Sequence, residues 1–351
     1  MTLIELFREK SIHNVVSALE HSPELLVYLV SPAALKKYKA PTEAFFKKRR
    51  PDQKILWCPC NTEDLNCLES TLEGIISAHG DCVADTRGSE GLMLLALGKM
   101  MQKHPDALGT LSSPSNAPAI SVSETVALMG GSVESSQSQD PELSQRLWRI
   151  LKKDPDRYNR AITELNGAIE KASPGSYAFK RPPGPHSKWL IGELERQSLC
   201  IETQNGILME RGDFILKAGN ALEAKVLWAV RELCDDAVMG AVLDWDGEKR
   251  GNDTNNEVDV LISRNAKLSF ISCKNGSFDE NELYKLSAVA EHFCPEDHLK
   301  AVVATAMGKL SPQARQRLEQ RARDMDIRLI SSVHRMGDRE LINTLKDIIP
   351  R

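Results

Sequence analysis

Along the first hundred residues, short continuous apolar runs alternate with longer segments whose apolar positions recur at helical spacing. Residues 2–7 (TLIELF) form a short apolar run. Residues 12–20 follow as a helical stretch with Val15, Val16, Ala18 and Leu19 on one side. Residues 25–30 (LLVYLV) are apolar throughout, the pattern of a strand covered on both faces in a parallel sheet. A helical segment then ends in the basic run 47–50. Beyond it the pattern predicts a strand over 54–58, a helix over 65–78, a strand over 81–84 and a helix over 92–103. Strands separated by helices argue for a doubly wound, Rossmann-like α/β sheet.

At Gly109 the composition shifts to Ser, Pro, Gly and Ala, and 132–139 (SVESSQSQ) reads as a linker or mobile loop. Residues 141–172 are helical and highly charged, a small insertion or connecting bundle. A second Pro/Gly break at 174–186 (PGSYAFKRPPGPH) marks the expected main boundary. The chain therefore divides into a first domain over 1–130, a linker and small helical segment over 131–186, and a second domain over 187–351.

The second domain has a different order. A helix over 222–234 precedes three consecutive strand-like runs at 237–244, 257–263 and 267–274. A helix over 280–293, a strand over 301–305, a helix over 312–323, a strand over 327–331 and a helix over 339–348 follow. Helix, three-stranded meander, helix, strand is the order of a restriction-endonuclease-like α/β core.

At 351 residues the chain is long enough for two cores. A hydrophobic share of 41% and a charged share of 27% are ordinary for a globular protein. No apolar run approaches the roughly 18 residues of a membrane span. Residues 1–10 carry no signal-peptide pattern, so a cytoplasmic location is expected. The net charge of −4 argues against constitutive binding to polyanions, although basic groups confined to one cleft remain compatible with a nuclease. Eight cysteines in this length make no disulfide scaffold. Cys58, Cys60 and Cys67 lack a fourth partner at zinc-site spacing and read as buried strand and helix cysteines.

The chemistry concentrates in residues 256–276 (NEVDVLISRNAKLSFISCKNG). Asp259 lies on one strand and Lys274 ends the next, so a hairpin brings a carboxylate and an ammonium to one end of the sheet. Phosphodiester hydrolysis uses such a pair. The carboxylate holds Mg²⁺ or Mn²⁺, and the lysine positions or activates a water. Glu257 and Asp259 are two apart on a strand and share a face. Glu223, in 219–226 (GNALEAKV), stands in the first turns of a helix expected to pack on the meander. Asp244 and Asp246 are further acids, read as solvated turn residues.

GNALEAKV, NEVDVLISRN and FISCKNG, followed by ELYKLSAVAEHF, together resemble the C-terminal domain of the CRISPR (type III) ancillary nucleases. These join a CARF sensor domain to a PD-(D/E)XK nuclease. The resemblance runs over about 219–331. It implies that Asp259 binds metal, that Lys274 assists the water and that Glu223 supports the site. The chain departs from the pattern at Ser272, where an acid is expected two residues before the lysine. A hydroxyl is a poorer metal ligand; Glu257, Glu223 or a backbone carbonyl could make up the shell.

The same resemblance implies a CARF domain in front and a cyclic oligoadenylate, tetra-adenylate being the expected ring, as allosteric activator. That ligand would be bound across the two-fold axis of a homodimer. Residues 85–93 (DTRGSEGLM) follow a strand and open a helix, where backbone N–H groups can receive phosphates. Arg87, Gly88, Ser89 and Gly91 are candidates there. At the ends of the earlier strands stand Ser11, Asn14, Ser31, Asn61 and Thr62, where ligands bind in open α/β sheets. NAD binding is rejected, because 7–14 (FREKSIHN) lacks G-x-G-x-x-G.

The expected function is a cyclic-oligoadenylate-activated, divalent-metal-dependent endonuclease of CRISPR antiviral defence, cleaving DNA and/or RNA. Three rivals stand beside it: a nucleotide-sensing regulatory or scaffold protein with a decayed nuclease core, a sensor that hydrolyses its own ligand, and a constitutive DNA-repair nuclease.

Overall fold

The computed structural model describes residues 1–87, 89, 91–111, 118–137, 140–246, 255–295, 298–305, 307 and 310–349. The first unit alternates β1 (Thr2–Leu6), α1 (His13–His21), β2 (Leu25–Val30), α2 (Pro32–Arg49), β3 (Lys54–Pro59), α3 (Leu65–His79), β4 (Cys82–Asp85), α4 (Leu92–Lys103) and β5 (Leu108–Thr110). All five strands are parallel, in the order β3-β2-β1-β4-β5. The doubly wound arrangement expected from the pattern is present. Its switch point lies between β1 and β4, and the loops after the strands gather at one edge. Side-chain caps start the helices there: Ser31 accepts from the Ala34 amide at 3.1 Å, and Asp64 from the Asn66 amide at 2.9 Å.

Helix α5 (Val122–Leu128) bridges to the rest of the chain. Ser121 and Glu124 form a capping box at its start. Glu124 also receives Lys48 and Arg49 from the end of α2, so the basic run found in the sequence closes onto a nearly buried carboxylate. The Val122 amide donates to Asp236 at 2.8 Å, tying α5 to the second unit.

The second unit contains β6 (Ser132–Gln137), α6 (Pro141–Leu151), α7 (Pro155–Ala168), β7 (Ile169–Ser173), β8 (Ser176–Phe179), α8 (Pro185–Arg196), β9 (Ile201–Thr203), β10 (Gly206–Leu208), α9 (Gly212–Ile215), α10 (Asn220–Val230), β11 (Asp236–Asp244), β12 (Asn255–Arg264), β13 (Lys267–Lys274), α11 (Glu280–Phe293), β14 (Leu299–Ala304), α12 (Pro312–Asp324), β15 (Ile327–Ile330) and α13 (Asp338–Leu345). Its main sheet runs β15-β14-β13-β12-β11-β6, parallel among the first three strands and antiparallel from β13 onward. The meander and the helix after it lie where the sequence predicts them.

Alternation along β13 sorts its two faces. Leu268 and Phe270 belong to the core on the α11 side, while Ile271 and Cys273 belong to the core on the α10 side.

Three expectations change. The run SVESSQSQ is not a linker over its first six residues. It is the edge strand β6, paired with β11; an edge strand needs only backbone pairing on one side, so a Ser/Gln composition gives no apolar signal. Nor does 174–186 separate two cores. Gly175, at φ +74°, turns the hairpin between β7 and β8, and Tyr177 joins Leu165 and Ile207 in a core that runs from Leu143 to Ile349. Asp244, read as a solvated turn residue, is buried, because β6 covers the end of β11. The structure also adds a small antiparallel sheet, β7-β8-β10-β9. Among the described residues no helix is long and apolar enough to cross a membrane.

Candidate active site

Asp259 and Lys274 meet at one end of the main sheet. The ladder pairs Val260 with Ile271, so its next step sets Asp259 opposite Ser272. Asp259 Oδ2 accepts from the Cys273 amide at 2.6 Å and from Ser272 Oγ at 3.2 Å, and Lys274 Nζ lies 3.7 Å away. The strand therefore fixes the carboxylate through a backbone amide as well as through charge.

Two helices start at this same end, one from each face of the sheet. On one face α10 carries Glu223 in its first turn. A Cβ placed on Gly219 would collide with Glu223 Oε1, so the carboxylate folds back over the start of its own helix. On the other face α11 carries Glu282. Its Oε1 accepts from Ser272 Oγ at 2.7 Å and pairs with Lys274 Nζ at 3.0 Å. Glu257 stands on the same strand as Asp259 but is exposed.

The residue after the lysine locks the strand end. Asn275 donates to Asn159 of α7 at 2.6 Å and to the Ala218 carbonyl at 3.3 Å, and accepts from Thr305 at 3.0 Å. The Thr305 amide donates to the Lys274 carbonyl at 3.0 Å. Three segments thus hold the backbone that presents Lys274.

The electrostatics follow from this crowding. Burial, and then the Asp259 and Glu257 carboxylates, push the Glu223 pKa up to about 8, with partial relief from Lys274 and Lys217. Burial also raises Asp259, against Lys274, the Cys273 amide and Ser272. Burial opposes the charge on Lys274, but Asp259 and Glu282 outweigh it and hold the ammonium above its ordinary range. The result is a partly buried carboxylate cluster with one cation inside it. Such a group can orient a water or a phosphoryl oxygen at Lys274 and present hard oxygen donors to a cation. Among the described residues, no three His, Cys, Asp or Glu side chains are grouped closely enough to hold a metal ion.

The structure thus brings together Asp259, Lys274, Ser272 and Glu223 and leaves Glu257 at the rim. Sequence reasoning missed Glu282, Asn275 and Asn159. The signal for Glu282 lay in the ELYKLSAVAEHF segment, where it opens the run at the start of a helix.

The residues expected to bind a nucleotide share the edge at the ends of the parallel strands. Several are engaged locally. Ser11 Oγ accepts from the His13 amide at 3.3 Å, and Asn14 clamps both backbone groups of Arg8, at 3.0 and 2.6 Å. Asn61 accepts from the Glu63 amide at 3.1 Å, and Ser31 caps α2. The Arg87 guanidinium turns inward to Asp85, 2.9 Å away, and to Ser17. Thr62 is half-buried beside Asn61, the Ser89 hydroxyl is buried, and Gly91 has φ +52°. Gly88 lies outside the described residues.

The two larger sheets define a two-unit α/β protein: a Rossmann-like unit in front and a restriction-endonuclease-like unit behind. No family model and no curated protein matches the chain. Solved structures do. Protein VC1899 from Vibrio cholerae matches with a TM-score of 0.74 at 14% identity, over 99% of this chain and 97% of that one. Can2 from Sulfobacillus thermosulfidooxidans, solved in complex with cyclic tetra-adenylate, matches with a TM-score of 0.68 at 15% identity, over 98% and 97%. A type III CRISPR defence DNA nuclease activated by cyclic oligoadenylate matches with a TM-score of 0.50 at 15% identity, over 87% of this chain and 45% of that one. At these identities the likeness is one of fold, and it covers both units.

Proposed function

We propose that this chain is a cyclic-oligoadenylate-activated, divalent-metal-dependent endonuclease of CRISPR defence, acting on nucleic acid as a homodimer. The observation that carries the reading is the convergence of Asp259, Lys274 and Glu223 at one sheet end. It occurs in a fold shared over nearly the whole chain with a protein solved with cyclic tetra-adenylate.

Among the described residues no three of these acids close around a common point, so a divalent cation would have to draw them together, but their donor type suits Mg²⁺ or Mn²⁺. Asp259 and Glu223 would hold the ion, with Glu257 at the rim and the Ser272 hydroxyl beside Asp259, an all-oxygen set of the kind these cations take. Burial first, and then the Asp259 and Glu257 carboxylates, push Glu223 up to about 8, and the carboxylate part of that rise is an imbalance a divalent cation would relieve. When bound, such an ion polarises a phosphate and lowers the pKa of a water. The chain's own residues do the rest. Lys274, fixed by Asn275 and Thr305, aligns the attacking water with the phosphorus. Asp259, held by the Cys273 amide, keeps the ammonium in place.

In the front unit, the ligand would rest on the edge formed by Ser11, Asn14, Ser31, Asn61, Thr62, Arg87, Ser89 and Gly91, shared with a second copy. Arg87 is engaged with Asp85, so its part is to shape the loop rather than to meet a phosphate directly. Coupling requires the ligand to favour one arrangement of the two units.

One observation favours a second reading, a cyclic-nucleotide sensor with a silent nuclease core: Ser272 stands where an acid would complete the site. The deciding experiment incubates plasmid DNA and single-stranded RNA with Mg²⁺ or Mn²⁺, with and without cyclic tetra-adenylate. Cleavage that needs the ligand and disappears in Asp259→Ala supports the nuclease. Ligand binding without cleavage supports the silent sensor, and cleavage indifferent to the ligand rules out the sensing role.

A further inference from the structure

Ser272 leaves β13 without a carboxylate at the position facing Asp259, yet that position is not without negative charge. Glu282 reaches it from α11. It is the third residue of that helix, behind the cap Asp279, whose carboxylate accepts from the Asn281 amide at 3.0 Å. A glutamate there ordinarily turns back to the amide of the cap residue. Here its Oε1 is taken up by Ser272 Oγ at 2.7 Å and by Lys274 Nζ at 3.0 Å. The rotation of α11 enforces this, because Leu283, Leu286 and Ala290 are buried in the core under Phe270 and Leu268. Glu282 is thereby directed at the sheet end, and it lies nearer to Lys274 than Asp259 does, 3.0 against 3.7 Å.

We propose that Glu282 supplies from the helix the carboxylate that the strand lacks at Ser272. It serves as a ligand to the divalent cation and as the anchor of Lys274. This rests on the nuclease reading, and it adds to the site a residue from the opposite face of the sheet. The serine then has a role of its own: a short hydroxyl bridges Asp259 and Glu282 and leaves room for the longer side chain to enter. An acid on the strand would face Asp259 directly and compete with Glu282 for the same place.

The test is Mn²⁺ binding to the full chain, followed by the loss of the free-ion signal in electron paramagnetic resonance, with neither nucleic acid nor activator present. Wild type is compared with Glu282→Gln, Glu282→Ala and the double variant Ser272→Glu/Glu282→Ala, and thermal melts confirm that each folds. Glu282→Gln keeps the shape and the contact with Ser272 but not the charge. Both single variants are expected to weaken Mn²⁺ binding by about 10–100-fold, the range seen when a metal site loses a supporting group. The double variant, with its acid returned to the strand, is expected to recover most of the loss. Equal binding by wild type and Glu282→Gln overturns the assignment while leaving the nuclease reading intact. Folded double variants without recovery also overturn it, since Glu282 would then be acting only as a brace for α11. Absence of Mn²⁺ uptake by wild type removes the metal-dependent reading and this inference with it.

Discussion

The ammonium of Lys10 donates to the carbonyl of His292, 2.7 Å away, joining the loop after β1 to the last turn of α11. The His292 ring lies 3.4 Å from the same nitrogen and packs on Trp245 with centroids 4.0 Å apart. Glu282 sits near the other end of this helix, ten residues and about 15 Å away. One rigid element therefore touches both the loop that carries Ser11 and the carboxylate cluster.

Lys10→Ala removes that contact without touching the cluster. Loss of a partly buried hydrogen bond from a charged group is expected to cost about 1–2 kcal/mol of stability. In the proposed nuclease, cleavage triggered by cyclic tetra-adenylate is expected to fall several-fold while ligand affinity changes little. Titrating activity against ligand checks this; an unaltered maximal rate in a stably folded variant would show that α11 does not carry the coupling.

Asp259→Asn separates chemistry from stability. The variant keeps an oxygen to accept from the Cys273 amide but removes a charge that burial disfavours. Cleavage is expected to drop by roughly 10²–10⁴-fold, the scale of losing a positioned group at a reacting centre. The metal-free melting temperature should hold or rise, as is common where a site retains destabilising charges. A large fall in melting temperature would identify Asp259 as a structural anchor instead.

Gly219→Ala offers a finer probe. Gly219 has φ −70° and ψ −35°, a conformation alanine adopts freely, so the backbone is not strained and the substitution is expected to stabilise by up to about 1 kcal/mol. Its new Cβ would nevertheless occupy the place of Glu223 Oε1 and force that carboxylate outward. Metal affinity is expected to fall about tenfold in a protein that is no less stable. Calorimetric titration with Mn²⁺ reads the first effect and a melt the second; unchanged affinity would place Glu223 outside the metal's reach.

The elements that carry this argument were legible where packing imposes a strong pattern. LLVYLV announces a strand buried on both faces, and the meander with its following helix emerges at nearly the predicted positions. The approach of Asp259 and Lys274 follows from two strand positions and a hairpin. β6 was invisible because edge pairing through the backbone leaves no mark on Ser and Gln. Strands β9 and β10 are three residues each, too short for alternation to register. Glu282 was hidden for another reason. Its position depends on the rotation of α11 against the sheet, which is set by contacts between residues far apart in the chain. The same holds for Asn159, which reaches Asn275 from a charged helical stretch whose sequence predicts only an insertion or connecting bundle.

Glu5 provides a test in the front unit, away from the cluster. It pairs with Asp85 across β1 and β4, and both side chains are almost wholly buried. Arg87 and Ser17 satisfy Asp85, whereas Glu5 Oε1 has no hydrogen-bond partner among the described residues. Burial, and then the neighbouring Asp85, drive the Glu5 pKa well above the ordinary carboxylate range, with Arg87 offsetting part of the rise. The unfolded chain releases this proton near pH 4.3, while the folded chain retains it to higher pH. Between those two values the unfolded state binds fewer protons, so stability falls as pH rises and levels off only above the folded pKa. Glu5→Gln mimics the protonated acid and should abolish that decline. Wild type and variant should then be nearly equal at pH 4 in urea melts. At pH 8 the variant should be clearly the more stable of the two in the same melts. Parallel stability curves from pH 4 to 8 would instead mean that Glu5 ionises in the folded protein and that Arg87 serves both carboxylates.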